Sequence, residues 1–501
     1  MSLLISGPVW ASTVLVPDEA PPDPLGDQPV RPLRVAVVGA GPAGLFTVDA
    51  LIRTAEVPVS IEVVDRLPTP FGLLRYGVAP DHPEIRGIRN RFATMLHRDD
   101  VAFLGGVEFG RDVTVADLRE HVDAIVYSYG AAADRRLDVP GEDLLGSLAA
   151  TELVAWYCGH PDADRALVED ALQAGGSDDG VRSAIVVGAG NVALDVTRVL
   201  ARTPGELAVT DMPDHVLAVL ATTSPQMVHV LVRRGPEHVA FSTPELRELG
   251  DLDDATVVLA NPDVDLTDPP GASRVMSRNL GVLREWAQAD PPPADRRRIV
   301  FHFWSRPVRL VGTGPSGHER VRAVSVEPTE LGDDGRLVAS GAPHDVPADL
   351  VVRAVGYRGV GLAGVPFEEV GAVVPNDAGR VLRPDADGAG VVAGSYVVGW
   401  IKRGPQGVIG TNKPDARETV RAVLADAPDL LRRPDPGGLA VWLSARGTPA
   451  VTVVGWDRID AAEAALGQSR GRDRTTLADR AAMLEAVNRD PEHGLGGGTT
   501  G

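Results

Sequence analysis

The sequence predicts an α/β chain carrying two doubly wound units, each a parallel sheet with helices packed against it, and three observations lead there. Two glycine-rich turns of one design, Gly39-Ala40-Gly41-Pro42-Ala43-Gly44 and Gly188-Ala189-Gly190-Asn191-Val192-Ala193, each stand directly behind a short aliphatic run, at 33–38 and 184–187. A helical pattern follows each turn. Two further aliphatic runs that end at glycine, 124–130 and 350–357, bracket the second of these units.

Strand, turn and helix in this order explain the residue types. The first glycine allows the tight turn, the second lets backbone approach a pyrophosphate, and a glycine or alanine at the third position lets the helix pack closely. The pyrophosphate then sits at the helix N-terminus, where unpaired N–H groups and the dipole favour an anion. Two such Rossmann-type units predict two bound dinucleotides.

The elements follow in order. Residues 1–30 hold no Lys or Arg, several acids and a Pro-rich piece, so they lack the marks of a signal or transit peptide and read as a flexible arm. After the first turn a helix runs to Thr54, and a strand at 59–64 ends in Asp65. An acid at that point suits the hydroxyls of an adenosine ribose, so the first site reads as one for FAD or NAD. The corresponding strand of the second unit, 227–232, ends instead in Arg233-Arg234-Gly235. Paired guanidiniums grip a 2′-phosphate in fork geometry, and the second site reads as one for NADP. The bracketing runs place an NADP-binding domain at 134–354, inserted into an FAD-binding domain of 31–133 and 355–501. Asp268-Pro269-Pro270 and Asp290-Pro291-Pro292-Pro293 read as surface loops of the insert, and the tail from Gly494 as disordered.

Composition narrows the function. A chain of 501 residues, 44% hydrophobic, can bury a core of more than one domain. Its formal charge of −20 excludes the basic footprint of a nucleic-acid binder. No apolar run reaches the length of a membrane span, and the expected location is cytoplasmic. Cys158 is the single cysteine, so there is neither a CxxC pair nor a thiolate set for an iron-sulfur cluster, and no metal site is expected. Disulfide reduction is thereby excluded, and electrons must leave by another route. Of the 49 basic residues only Lys402 and Lys413 are lysine, both in one short window. Either chance placed them there or the window needs a compact ammonium that arginine cannot replace.

These residues resemble adrenodoxin-reductase-type NADPH:ferredoxin reductases, including bacterial members, over nearly all of 31–482. The resemblance rests on Pro70-Phe71-Gly72-Leu73-Leu74-Arg75-Tyr76-Gly77-Val78-Ala79-Pro80-Asp81-His82-Pro83, on Gly190-Asn191-Val192-Ala193-Leu194-Asp195, on Arg233-Arg234-Gly235-Pro236 and on Glu245-Leu246-Arg247-Glu248-Leu249. The most specific stretch is the long run from Gly399-Trp400-Ile401-Lys402 to Asn412-Lys413. It implies a flavoprotein with glutathione-reductase-like FAD and NADP domains. Such an enzyme takes hydride from NADPH and passes single electrons to a ferredoxin, with a cytochrome P450 as a downstream acceptor.

The resemblance also implies site residues. FAD would meet Gly39, Gly41, Ala43, Gly44, Asp65, Leu73, Phe109, Trp400 and the backbone of Gly407, Val408 and Ile409. NADPH would meet Ala189, Gly190, Asn191, Val192, Arg233, Arg234, Glu245 and Gly407. The family usually carries glutamate where this chain has Asp65, a shorter side chain that still accepts from a ribose. The helix opening at Pro414 and Asp415 would aim its N-terminus at the flavin pyrimidine edge and favour the negative charge of the reduced ring.

His82 and Glu248 have two readings each. On local pattern His82 belongs to a helix start, with Pro83 at the first helical position, and Glu248 to a solvated helix face. Ser242-Thr243-Pro244-Glu245 reads as a capped start with Glu245 in the capping-box position. The resemblance implies instead that His82 and Glu248 meet across the cleft and position the nicotinamide or relay a proton. For the ferredoxin, Arg247, Arg274, Arg278 and the run Arg296-Arg297-Arg298 are candidate basic contacts on an acidic protein. The rival functions are a flavin monooxygenase, a pyridine-nucleotide electron-input subunit such as that of glutamate synthase, and a non-catalytic NADPH/FAD redox sensor.

Overall fold

A computed structural model describes residues 31–173, 181–223, 225–290, 293, 296–383 and 390–489. The expected arm at 1–30 and the tail from Gly494 lie outside the described residues, as does part of the 290–293 loop.

The first sheet has seven strands in the order Asn376–Asp377, Arg380–Leu382, Val391–Val397, Ala124–Tyr127, Leu33–Val38, Val59–Asp65, Val101–Gly105. Its five central and far strands run parallel, with Val35 opposite both Ile61 and Ala124. Val35, Val37, Ile61 and Val63 are fully buried or nearly so on one face, and Ala36, Val38 and Val64 on the other. Covering both faces is what makes these strands near-continuous aliphatic runs. The helix Pro42–Thr54 packs beside Asn412–Leu430 on the first face.

The second sheet has six parallel strands in the order Ser147–Ala149, Leu350–Arg353, Ser183–Val187, Met227–Leu231, Arg297–His302, Ala255–Leu259. One face is covered by helices. Over the other lies an antiparallel sheet of Ser305–Thr313, Arg320–Leu331, Leu337–Ala339 and His344–Pro347, which no glycine-turn pattern announces. Val324 and Val326, two apart on one strand, face inward with Val346 and pack on Ile185, Val187 and Val351.

The chain passes between the two sheets twice. At those crossings Ala133–Asp134 and Tyr357–Arg358 pair antiparallel with each other, Tyr357 opposite Asp134. A C-terminal helix, Val453–Gln468, returns to the first unit, where fully buried Glu463 holds both Arg75 and Arg474. The segment after it reaches the other unit, with Arg472 donating to Met212 O at 2.9 Å and pairing with Asp214 at 2.6 Å. No helix of the described residues is long and apolar enough to cross a membrane.

Candidate functional site

Both glycine turns end strands at the carboxyl edge of their sheets, and the space around each glycine separates its duties. Gly39 has φ +112°, and a Cβ there would stand 2.8 Å from Ser128 O. At Gly44 a Cβ would stand 2.1 Å from Gly39 O, so the helix can approach the turn only as glycine. Gly41 is different, with nothing nearer than Gly72 Cα at 4.0 Å. The first and third glycines thus serve packing, and the second borders open space. The helix Pro42–Thr54 has no side-chain cap, leaving its first N–H groups free for an anion. These residues fit the pyrophosphate of FAD.

The other predicted contacts of the first site gather at this edge. Leu73 opens a short helix directly after Gly72. A Cβ on Gly399, φ +81°, would fall 2.5 Å from Ala43 Cβ, so the turn carrying Trp400 is seated against the first glycine turn. Trp400 stacks at a tilt on Tyr357, centroids 5.0 Å apart. Phe109 lies edge-on to Tyr127 at 6.2 Å. Asp65 ends its strand and accepts from Ala40 N–H at 2.8 Å and Leu67 N–H at 2.9 Å. Burial pushes its carboxyl up while those two donors favour the ionised form. Asp65 therefore braces the glycine turn.

Gly407, φ +82°, turns so tightly on Thr411 that a Cβ would lie 2.6 Å from Thr411 Oγ1. Val408 O accepts from that hydroxyl at 2.6 Å, and Ile409 starts the 3-10 turn that leads into the helix Asn412–Leu430. That helix also begins without a side-chain cap. Lys402 points into the protein: Nζ lies 2.8 Å from Asp415 Oδ1, 2.5 Å from Glu418 Oε2 and 3.2 Å from Thr419 Oγ1. Of the two explanations for the lone lysines, Lys402 follows the second, a compact ammonium buried among three acceptors. It ties the Trp400 turn to the helix.

In the second unit a Cβ on Gly188 would lie 2.4 Å from Ala354 O, whereas Gly190 has nothing within 4 Å. Ala189 and Val192 are half-buried beside the core, and Asn191 Oδ1 accepts from Ser242 N–H at 2.8 Å. Arg233 is exposed just past the strand Met227–Leu231. Arg234 is half-buried, with a buried Nε that has no hydrogen-bond partner. This set fits an NADP 2′-phosphate and pyrophosphate.

Between the units lies a cluster of charges. His82, 9% exposed, precedes the helix Pro83–Arg86 but makes no capping bond. Its Nε2 stands 3.4 Å from Glu248 Oε2, 3.2 Å from Glu245 Oε2 and 3.3 Å from Asp195 Oδ1. Against the local pattern, Glu245 forms no capping box. The Ser242 N–H is already engaged by Asn191, and the Glu245 carboxylate turns to His82 and to Arg198 Nη1 at 3.3 Å. Glu248 reaches the same Arg198 nitrogen at 3.2 Å.

Arg198, Asp81 and Asp195 were not singled out from the sequence as site residues. Asp81 and Asp195 stand within the motifs quoted for the resemblance; Arg198, one arginine among many, carries no local signal. Its guanidinium is fully buried, donates to Asp81, Asp195 and Glu245, and lies against His82 Nε2. Burial alone would lower the His82 pKa, but the carboxylates of Asp195 and Glu245 outweigh it and raise it to about 10. Burial likewise works against Asp81, and Arg198 holds that carboxyl down at about 2. Burial pushes Glu248 up against the pull of Arg198 and His82. His82, Asp195 and Glu245 have metal-ligand spacing, but Arg198 sits among the same oxygens and fills the cation's place.

Among the acceptor-side candidates, Arg247, Arg274 and Arg278 are exposed. Arg296 and Arg297 are spent on backbone carbonyls, with Asp253 O at 2.6 Å and Ala201 O at 3.1 Å. They stand at the start of a strand of the second sheet, the end opposite the glycine turn. Cys158 is buried, and burial pushes its thiol up to about 12.

No family model matches the chain. Curated relatives do. The chain is 40% identical over 474 residues to the NADPH-ferredoxin reductase FprA of Mycobacterium tuberculosis, covering 91% of this chain and 99% of the relative. It is 36% identical over 476 residues to the mitochondrial NADPH:adrenodoxin oxidoreductase of Arabidopsis thaliana, covering 91% and 96%. The solved structure of M. tuberculosis FprA in complex with NADPH superposes with a TM-score of 0.82 at 39% identity, over 91% of this chain and all of that one.

Proposed function

Because the chain belongs to the adrenodoxin-reductase-type NADPH:ferredoxin reductases, FAD-dependent oxidoreductases that move electrons from NADPH to ferredoxin, we propose an assignment of that activity to named residues. The unit of 31–133 and 355–501 holds FAD at Gly39, Gly41, Ala43, Gly44, Asp65, Leu73, Phe109, Trp400 and the Gly407-Val408-Ile409 backbone. The unit of 134–354 holds NADPH at Ala189, Gly190, Asn191 and Val192, with Arg233 and Arg234 on the 2′-phosphate and Glu245 and Gly407 nearer the nicotinamide. Supporting this reading, each unit ends its strands in an uncapped helix beside an open glycine.

FAD, when bound, accepts a hydride and gives up electrons singly, the chemistry that converts a two-electron donor to a one-electron acceptor. The protein supplies alignment. Rings held in near-attack geometry need no acid or base on the transferred hydrogen. His82, kept cationic by its carboxylates, and Glu248 are the residues placed to orient the carboxamide end of the nicotinamide. The observation that carries this is their meeting at 3.4 Å, one residue from each unit.

The electrons then leave to a ferredoxin docked on local basic residues, among them exposed Arg247, Arg274 and Arg278, and from there to a terminal acceptor such as a cytochrome P450. A cytoplasmic location suits a consumer of NADPH. The purified protein reduced anaerobically by NADPH should bleach its flavin and reduce cytochrome c only when ferredoxin is added. Rapid oxygen-dependent NADPH consumption would point to a monooxygenase, and bleaching without turnover on any one-electron acceptor to a sensor.

A further inference from the structure

Arg198 is the structure's least expected charge. It sits two turns along the helix Asn191–Ala201, whose N-terminus is the second glycine turn, and its side chain has no exposure. It does not reach toward the glycine turn. Instead Nε donates to Asp81 Oδ2 at 2.6 Å and Nη2 to Asp81 Oδ1 at 3.1 Å, a two-pronged contact with the segment just before His82. Arg202, one helical turn further, adds Nε to the same Asp81 Oδ2 at 2.9 Å. On its other side Arg198 holds Asp195 at 2.8 Å, Glu245 at 3.3 Å and Glu248 at 3.2 Å.

We propose that the Asp81–Arg198 pair is the positioning lock of hydride transfer, fixing the NADP-binding helix against the flavin-side segment that carries His82. The proposal rests on the assignment of the two sites above. One rigid helix then carries the pyrophosphate turn at its first residues and the lock at its eighth, so the lock sets how far the nicotinamide reaches past its phosphate anchor. Two parallel charge-assisted bonds fix orientation as well as distance, which a single ammonium contact does not. Carboxylates outnumber cations at the centre: Asp81, Asp195, Glu245 and Glu248 face Arg198, Arg202 and the His82 imidazolium, with Glu206 engaging Arg202 beyond them at 3.1 Å. His82 and Arg198 share these oxygens, so freeing Arg198 from Asp81 also redraws the contacts of His82. Neither member of the lock touches a reacting atom; both act through the helix and through His82.

The test uses the FAD-loaded full chain as Asp81→Asn, which keeps shape and one acceptor, and as Arg198→Lys, which keeps charge but loses the fork. Three quantities are read: the stopped-flow rate of flavin reduction by NADPH, the flavin difference spectrum on adding NADP+, and the affinity for 2′,5′-ADP, which lacks the nicotinamide. The lock predicts at least a tenfold slower reduction and a weakened NADP+-induced flavin perturbation in both variants. Affinity for 2′,5′-ADP should stay within twofold. Wild-type reduction rates with wild-type NADP+ spectra overturn the lock, as does a parallel loss of FAD, NADP+ and 2′,5′-ADP binding, which marks a merely structural pair. If Asp81→Asn does not retain FAD, Arg198→Lys alone is judged by the same outcomes. Failure of the wild-type protein itself to be reduced by NADPH would sink the underlying assignment instead.

Discussion

His82 Nε2 lies 3.4 Å from Glu248 Oε2, although the two residues belong to different units of the chain and each has a plainer reading as a helix cap or a solvated face. Their meeting sets a cationic imidazole beside a carboxylate, the pair proposed above to orient the nicotinamide carboxamide. Glutamine removes one charge at either position and keeps the skeleton of Glu248. Flavin reduction by NADPH should slow about tenfold, the loss of ~1.4 kcal/mol of alignment, in His82→Gln and Glu248→Gln. FAD content should stay at the wild-type level. Equal stopped-flow bleaching rates in both variants and wild type would remove the pair from the mechanism.

The charge on His82 sets a pH window. Its folded pKa is raised to about 10 from an ordinary value of 6.5, so the folded state holds the proton more tightly than the unfolded chain does. The stabilisation is therefore fully present below about pH 6.5 and is lost as pH rises through about 10. Flavin reduction should be flat from pH 7 to 9 and fall above about 10, and His82→Gln should abolish that fall. A step near pH 6.5 in the wild-type rate, absent in the variant, would show that the carboxylates do not hold the proton.

What was legible in the sequence was what the chain encodes locally. The glycine turns, the strands before them, and Asp65 and Arg233 just at or past the ends of their strands are fixed by short spacings along the chain. The charge cluster was not of that kind. Glu245 satisfies a local capping rule on paper, yet its carboxylate goes to His82 and Arg198, since the Ser242 N–H it would cap is already taken by Asn191 Oδ1. Arg198 is invisible in a sequence whose basic residues are nearly all arginine. The antiparallel sheet of 305–347 escaped for a third reason: it covers a face of the second sheet that a doubly wound unit would close with helices.

The glycines of the first turn should separate folding from cofactor binding. Gly44→Ala puts a Cβ 2.1 Å from a backbone oxygen and should disrupt the strand-helix packing itself. Gly41→Ala meets nothing nearer than 4.0 Å and has φ −76°, so the apoprotein should fold normally. Its Cβ instead faces the space assigned to the pyrophosphate. Both variants should purify with little yellow colour, and circular dichroism melts of the apoproteins should show Gly44→Ala alone destabilised. Full FAD occupancy in Gly41→Ala would place the pyrophosphate elsewhere.

Lys402 offers a stability test that avoids the chemistry. Lys402→Met removes the ammonium but leaves Asp415, 8% exposed, held only by the Gly399 N–H and Arg403, with an apolar chain against its other oxygen. Breaking one side of a buried pair costs about 3–5 kcal/mol, here moderated because Glu418 is half-exposed and free to turn to water. Thermal melts of the FAD-loaded protein should drop by several degrees. Lys402→Arg should not restore the loss, because a planar fork does not fit the pocket of a point charge. Full rescue by arginine would show that only charge is needed there.

Coenzyme choice tests the assignment of the 2′-phosphate to the end of the strand Met227–Leu231. Arg233 is exposed and Arg234 presents a buried Nε with no partner, so neither is held in place by an internal acid. A charged hydrogen bond to phosphate contributes about 1.5–3 kcal/mol, or roughly ten- to a hundredfold in affinity. Arg233→Gln and Arg234→Gln should therefore raise KM for NADPH by that factor while leaving the weak reaction with NADH nearly unchanged, since NADH has no 2′-phosphate to lose. The maximal rate of flavin reduction at saturating NADPH should be preserved, because the phosphate contact is made equally before and during hydride transfer. Equal losses with both coenzymes would move the 2′-phosphate away from these arginines and leave the unpartnered Arg234 Nε to be explained by a different anion.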